Sequence, residues 1–259
     1  MLKKLLEHPL TRGLDLDDPQ TTQLRRQIIR DKPFLRAIYD DWYNWLASID
    51  DGLPVDGWAL ELGSGAGWLD EVLPRLITSD VFACDGLKLV ADARRLPFPD
   101  ASLRAIYMVD VLHHIPVAKA FLYEAARCVP AGGVIAMIEP WNSAWGRWVY
   151  QHLHHEPFRP DAEDWSFPGT GPLSGANGAL PWIMFERDRK RFEAEHAGWR
   201  LRTVEPFMPM RYLVSGGVSM RALMPGWSTG LWRGVERLTR SQHHRLGMFA
   251  KVVLERVAG

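Results

Sequence analysis

The chain has 259 residues, enough for one large α/β domain with insertions, and 47% hydrophobic against 24% charged residues is ordinary for a globular protein. Its 31 basic and 31 acidic residues cancel, which excludes a built-in long-range attraction to nucleic acid. No run of about 18 apolar residues occurs to span a membrane, and the start from Met1 to His8 turns polar too soon for a signal peptide. Cys84 and Cys128 lie in apolar stretches without a spacing motif, so the expected setting is reducing and cytoplasmic.

Residues 1–20 read as irregular. From Leu35, residues Ile38, Tyr39, Trp42, Trp45, Leu46 and Ile49 fall three or four apart, which marks an amphipathic helix with Asp31 and Pro33 as start signals. Residues 1–50 are therefore expected to form an N-terminal helical lid, and 51–140 the core. Ala59, Leu60 and Leu62 suit a short buried strand, and Gly63, Gly65 and Gly67 a tight turn after it. Leu69, Val72, Leu73 and Leu76 then recur at helical spacing, which predicts strand, glycine loop, helix. Val81 to Cys84 reads as a second strand ending in Asp85, where a carboxylate can accept two hydrogen bonds from a ribose diol.

Ala101 to Ile115 follows, an apolar stretch that runs into Leu112-His113-His114. A helix over Ala118 to Cys128, the turn Pro130 to Gly133 and a fifth strand, Val134 to Ile138, come next, the strand ending in Glu139. Residues 141–180, rich in tryptophan, proline and glycine, read as an insertion over the carboxyl ends of the strands. Pro181 to His196 is expected to be a helix and Trp199 to Val204 a sixth strand. Residues 208–247 are a second insertion, dense in methionine and tryptophan. They suit a substrate channel, a homodimer face or a peripheral membrane contact, the last favoured by Arg233, Arg237, Arg240 and Arg245.

The pattern Glu61-x-Gly63-x-Gly65-x-Gly67 departs from the Gly-x-Gly-x-x-Gly dinucleotide fingerprint. It resembles motif I of the class I S-adenosylmethionine-dependent methyltransferases. Ala91-Asp92-Ala93, two residues, then Leu96-Pro97-Phe98 is similar to the adenine-contacting segment of the ubiquinone/menaquinone-biosynthesis-type members. Asp110-Val-Leu-His-His114 resembles their loop after the fourth strand. The resemblance covers about residues 57–140.

It implies one Rossmann-like α/β domain over residues 1–259, with a mostly parallel seven-stranded sheet closed by an antiparallel strand, Phe249 to Arg256. Only six residues separate Asp85 from Asp92, so the helix between strands 2 and 3 is expected to be shortened or missing. The implied cofactor is S-adenosylmethionine. Glu61, Gly63, Ser64, Gly65 and Gly67 would meet its amino-acid part, Asp85 the ribose, Asp92 and the Ala93 backbone the adenine, and Asp110 the methionine side.

The implied activity is methyl transfer to a small-molecule or lipid-linked acceptor, with oxygen slightly preferred over nitrogen and carbon. His113, His114 and Glu139 are the candidates for a general base, against the alternative that Leu-His-His only packs its loop. His152, His154 and His155 have no cysteine nearby and sit in a Pro-rich context, so no metal is expected. Nucleic acid is not an expected partner, because Asp110-Val-Leu-His replaces an Asp/Asn-Pro-Pro-Tyr motif. The remaining alternative is a non-catalytic subunit that keeps the fold.

Overall fold

The computed structural model describes residues 18–154, 156–168, 171 and 175–258. The expectations for residues 1–17 and for His155 lie outside these. Helix α1 (Pro19–Asp31) begins at Asp18, whose carboxylate accepts from the Gln20 amide at 2.8 Å and satisfies one of the free first-turn donors. Lys32 precedes a proline and is extended, which ends α1 and lets Pro33 start α2 (Pro33–Asp50). Helix α2 buries the expected stripe, including Leu35, Ile38, Trp42 and Leu46.

The strands are β1 (Trp58–Leu62), β2 (Leu76–Asp80), β3 (Leu89–Val90), β4 (Leu103–Val109), β5 (Val134–Pro140), β6 (Trp199–Phe207) and β7 (Phe249–Arg256). They form one sheet in the order β3-β2-β1-β4-β5-β7-β6, with β7 antiparallel to both of its neighbours and the other pairs parallel. This is the expected mostly parallel, seven-stranded sheet. Helix α3 (Ala118–Cys128) packs Phe121 and Leu122 against Leu60, Ile106 and Met137 on one face. Helix α2 covers Ala59, Ala105 and Ala136 on the other. Alternate residues of each strand thus serve alternate faces.

Two local expectations are corrected. Residues 63–75 hold only a single 3₁₀ turn, Leu69–Glu71, in place of the expected helix. Leu69, Leu73 and Leu76 are buried as a helical stripe would be, but Leu76 already belongs to β2, and Val72 is exposed. About a dozen residues suffice for a parallel crossover without a helix. The second strand consequently runs from Leu76 to Asp80, not from Val81 to Cys84, and the carboxylate at its end is Asp80, not Asp85. Between β2 and β3 no helix forms, as the short spacing implied.

Further along come α4 (Ala144–His152), then the expected helix over 181–196 in three parts: a helical turn Leu180–Trp182, a π turn Ile183–Arg187 and, after Asp188, α5 (Arg189–Glu195). The segment before β7 carries α6 (Thr229–Leu238). Arg211 fixes this segment to α2 and α6 together, donating to Asp41 at 2.6 Å and to the buried Glu236 at 2.5 Å.

Candidate functional site

A cavity of about 580 Å³ opens at the carboxyl ends of β1, β2 and β4, the crevice where open α/β sheets bind ligands. Its wall is built by the glycine loop after β1, by Asp80 and Val81 after β2, by Asp92 and Ala93 after β3, and by Asp110 after β4. Helix α1 closes one side with Thr22, Arg25 and Ile29, and Tyr39 of α2 adds to it.

The loop takes its shape from two close approaches. Gly63 has φ +69°, and a Cβ there would overlap the Val111 side chain. A Cβ on Gly65 would lie 2.7 Å from Asp80 Oδ2 and overlap the Thr22 methyl. The Gly65 amide can therefore reach Asp80 Oδ2, 3.1 Å away, while Val81 N donates to Oδ1 at 2.7 Å. Burial pushes the Asp80 carboxyl above its usual range, against the pull of these amides and of Arg25. Gly67 lies against the Tyr43 hydroxyl.

Ser64 and Glu61 sit beneath the loop and do not line the cavity. The Ser64 amide donates to Ser79 O at 2.8 Å, and its hydroxyl accepts from Ser79 N at 3.1 Å, which pins the loop to β2. Glu61 is 3% exposed, its Oε2 has no hydrogen-bond partner among the described residues, and burial raises its carboxyl to about 7. Asp85, by contrast, is exposed, bonded to Gln23 Nε2 at 2.9 Å, and absent from the cavity wall.

Asp92 is on the wall, gripped by Arg94 through Nε at 3.0 Å and Nη2 at 2.7 Å. That fork holds its carboxyl below the usual range. Asp110 has φ +63°, a backbone conformation that Asp tolerates better than most residues, and its amide donates to Ile138 O at 2.8 Å. It presents 38% of its side-chain surface to the cavity, yet protein surrounds it closely enough that loss of bulk water pushes its carboxyl to about 7.

The three candidate bases separate. Glu139 is fully buried: Oε1 accepts from Val111 N at 2.9 Å and Leu112 N at 2.7 Å, and Oε2 faces His113 Nδ1 at 2.8 Å. Neither Glu139 nor the fully buried His113 lines the cavity, and together they hold the loop after β4. Burial opposes the His113 charge, but the carboxylates of Glu139 and Glu156 outweigh it and raise the imidazole well above its ordinary range. His114 is on the wall, with Nδ1 3.2 Å from Gly175 O. Burial first, then the His113 charge, lowers it to about 3, so its ring is neutral at ordinary pH.

Thr22, Arg25, Asp80, His154, Glu156 and Tyr212 also border the cavity and were not singled out from the sequence as its residues. Asp18-Pro19 is a helix-start signal that would have revealed α1. Nothing in the sequence connects Glu156 or Tyr212 with the glycine loop.

The residues fit an adenosyl ligand. The volume is of the right order, the Gly63 backbone is exposed, and Asp80 keeps acceptor capacity beyond the amides of Gly65, Val81 and Phe82.

Residues 60–137 match the family model described as a methyltransferase domain. The 2-methyl-6-phytyl-1,4-hydroquinone methyltransferase of Synechocystis is 31% identical over 87 residues, 33% of this chain and 27% of that protein. The 27-O-demethylrifamycin SV methyltransferase of Amycolatopsis mediterranei is 40% identical over 47 residues, 18% of this chain and 17% of that protein. The chain thus spans about a quarter or less of the length of these curated relatives. A chain of the solved complex between the Haloferax volcanii Trm112 methyltransferase activator and a methyltransferase superposes with a TM-score of 0.52 at 14% identity, over 95% of this chain and 99% of that one. That likeness speaks for the fold. The likeness to a methyltransferase domain is thus carried by residues 60–137, the stretch that holds the glycine loop, Asp80, Asp92 and Asp110.

Proposed function

We propose that the chain is an enzyme that transfers a methyl group from S-adenosylmethionine to an oxygen atom of a small, lipid-linked acceptor. The observation that carries this reading is the convergence of Asp80, Asp92 and Asp110 on the glycine loop around one cavity. Bound S-adenosylmethionine supplies a methyl on a sulfonium, which is already electrophilic. The chain then has to bind, orient and exclude water.

Asp80 takes the ribose role at the end of β2, since a carboxylate there can accept from both hydroxyls. Asp92 and the Ala93 backbone receive the adenine, with Arg94 keeping Asp92 ionised as an acceptor. The Gly63 backbone leaves room for the amino-acid portion, beside Asp110. Glu61 and Ser64 support the loop from below. Helix α1 acts as the lid, and the insertions 141–180 and 208–247 supply the acceptor side through His154, Glu156 and Tyr212. A hydroxyl acceptor would meet this polar end, where His114, the one sequence candidate on the wall, is lowered to about 3 by burial and is too weak a base to take the proton unaided.

The lipid-linked part of the reading rests on helix α6 and the turn before it. Trp227, Leu231 and Leu238 are 84%, 68% and 86% exposed; of the arginines expected to favour such a contact, Arg237 and Arg245 are exposed, whereas Arg233 pairs with Asp41 and Arg240 with Glu205. Apolar anchors amid arginines suit an anionic membrane surface. A homodimer through the same face would bring these like charges together. Among the described residues no helix is long and apolar enough to cross a membrane.

The test is to incubate the protein with S-adenosylmethionine and hydroxylated lipid-soluble acceptors, and to follow S-adenosylhomocysteine and the site of methylation. The reading expects saturable cofactor binding and O-methyl product. Cofactor binding with no turnover on any acceptor would favour the non-catalytic alternative. Failure to bind the cofactor would refute the enzyme reading and leave only a subunit that keeps the fold without the ligand.

A further inference from the structure

At the acceptor end of the cavity, two histidines from the loop after β4 meet a glutamate from the first insertion. We propose that His113, His114 and Glu156 form a binding site for a divalent transition-metal ion of the zinc type. One donor atom from each of the three lies within 4.8 Å of the others. His113 Nε2 is 3.4 Å from Glu156 Oε2, and His114 Nε2 is 3.8 Å from Glu156 Oε1. Donors held about 2.1 Å from a tetrahedral ion stand roughly 3.4 Å apart, so small side-chain movements would close this set on an ion.

The outer contacts carry the inference further. Metal-binding histidines almost always give their other ring nitrogen to a carboxylate or carbonyl, which fixes ring and tautomer. His113 Nδ1 is bonded to the buried Glu139 Oε2 at 2.8 Å, and His114 Nδ1 to Gly175 O at 3.2 Å. Both rings are thereby anchored through Nδ1 and turn Nε2 towards the same carboxylate. His113 is completely buried, and its Nε2 faces the Asp110 carboxylate at 3.9 Å as well as Glu156, so acidic oxygens surround the nitrogen offered to the ion.

Two imidazoles and one carboxylate select zinc, cobalt, iron or manganese over the hard, oxygen-seeking magnesium and calcium. Three protein ligands leave a position open, as in catalytic rather than structural zinc sites. His114 and Glu156 are on the cavity wall, so that position faces the ligand space. An oxygen of the acceptor would bind there and be polarised. This last role rests on the methyl-transfer reading, whereas metal binding itself does not.

The experiment uses untagged, chelator-stripped protein titrated with Co²⁺ and followed by visible absorption, then displaced with Zn²⁺. The site predicts one equivalent per chain with the intense bands of four- or five-coordinate cobalt. Glu156→Gln and His114→Ala should each weaken binding at least tenfold. His152→Ala, an exposed histidine stacked on Trp148, should titrate like the wild type. Circular dichroism and S-adenosylhomocysteine binding by the stripped variants establish that they are folded, and keep the metal result separate from the cofactor result. Absence of a saturable cobalt spectrum would overturn the proposal, as would a folded Glu156→Gln protein that titrates like the wild type.

Discussion

Asp80, the last residue of β2, accepts a hydrogen bond from the Gly65 amide at 3.1 Å, so the strand end and the glycine loop are one structural unit. The carboxylate proposed to hold the ribose also fixes the turn proposed to pass the amino-acid portion. This contact requires residue 65 to lack a side chain, because a Cβ would come within 2.7 Å of Asp80 Oδ2.

Gly65→Ala is accordingly expected to cost about 1–3 kcal/mol, the usual range for overpacking a tight site. Urea unfolding would measure the loss, and calorimetry should show weakened S-adenosylhomocysteine binding in the protein that remains folded. Wild-type stability and affinity in Gly65→Ala would mean that α1 and Asp80 do not pack on the loop as described.

Glu139 receives three polar contacts from the loop after β4, and two of them fix the backbone of Val111 and Leu112. Glu139→Gln removes the charge from a buried, fully engaged group, so a loss of about 3 kcal/mol is expected. His113 has a folded-state pKa above its unfolded value. Its contribution is therefore complete below about pH 6.5 and fades as pH rises through the folded value. In Glu139→Gln this pH dependence should be reduced. A variant that unfolds like the wild type would show that the clamp does not hold the loop.

Glu61 is a buried carboxyl raised from 4.5 to about 7. Between those values the folded state keeps a proton that the unfolded chain has lost, so stability falls as pH rises across the window. The shift corresponds to about 3 kcal/mol. Unfolding of wild type and Glu61→Gln at pH 4 and pH 8 should show the wild type losing about that much relative to the variant. Parallel pH profiles would place Glu61 in contact with water or a partner.

The exposed face of α6 makes a prediction for the lipid reading. Replacing Trp227 and Leu231 together by serine should abolish flotation with anionic vesicles, with little change in unfolding, because both side chains are largely exposed. If the wild-type protein never floats, the acceptor is taken from solution.

Much of this was legible in the sequence. β1, β7 and α3 announce themselves through apolar runs of the right period, bracketed by glycine and proline. Resemblance around Asp92 and Asp110 pointed to two residues that do border the cavity. The second strand was hidden because Leu69, Leu73 and Leu76 mimic a helical stripe while serving a 3₁₀ turn and a strand start. That displacement moved the expected acid from Asp80 to Asp85. Glu156, Arg25 and Tyr212 reach the cavity from distant segments, and only tertiary packing brings them there.

The most direct test of the account is calorimetric titration with S-adenosylhomocysteine of the wild type, Asp80→Ala and Asp85→Ala. Loss of charge-assisted hydrogen bonds to the ribose should weaken Asp80→Ala by about 1.5–3 kcal/mol, roughly ten- to a hundredfold, while Asp85→Ala binds like the wild type. No wild-type binding, or a loss confined to Asp85→Ala, would contradict it.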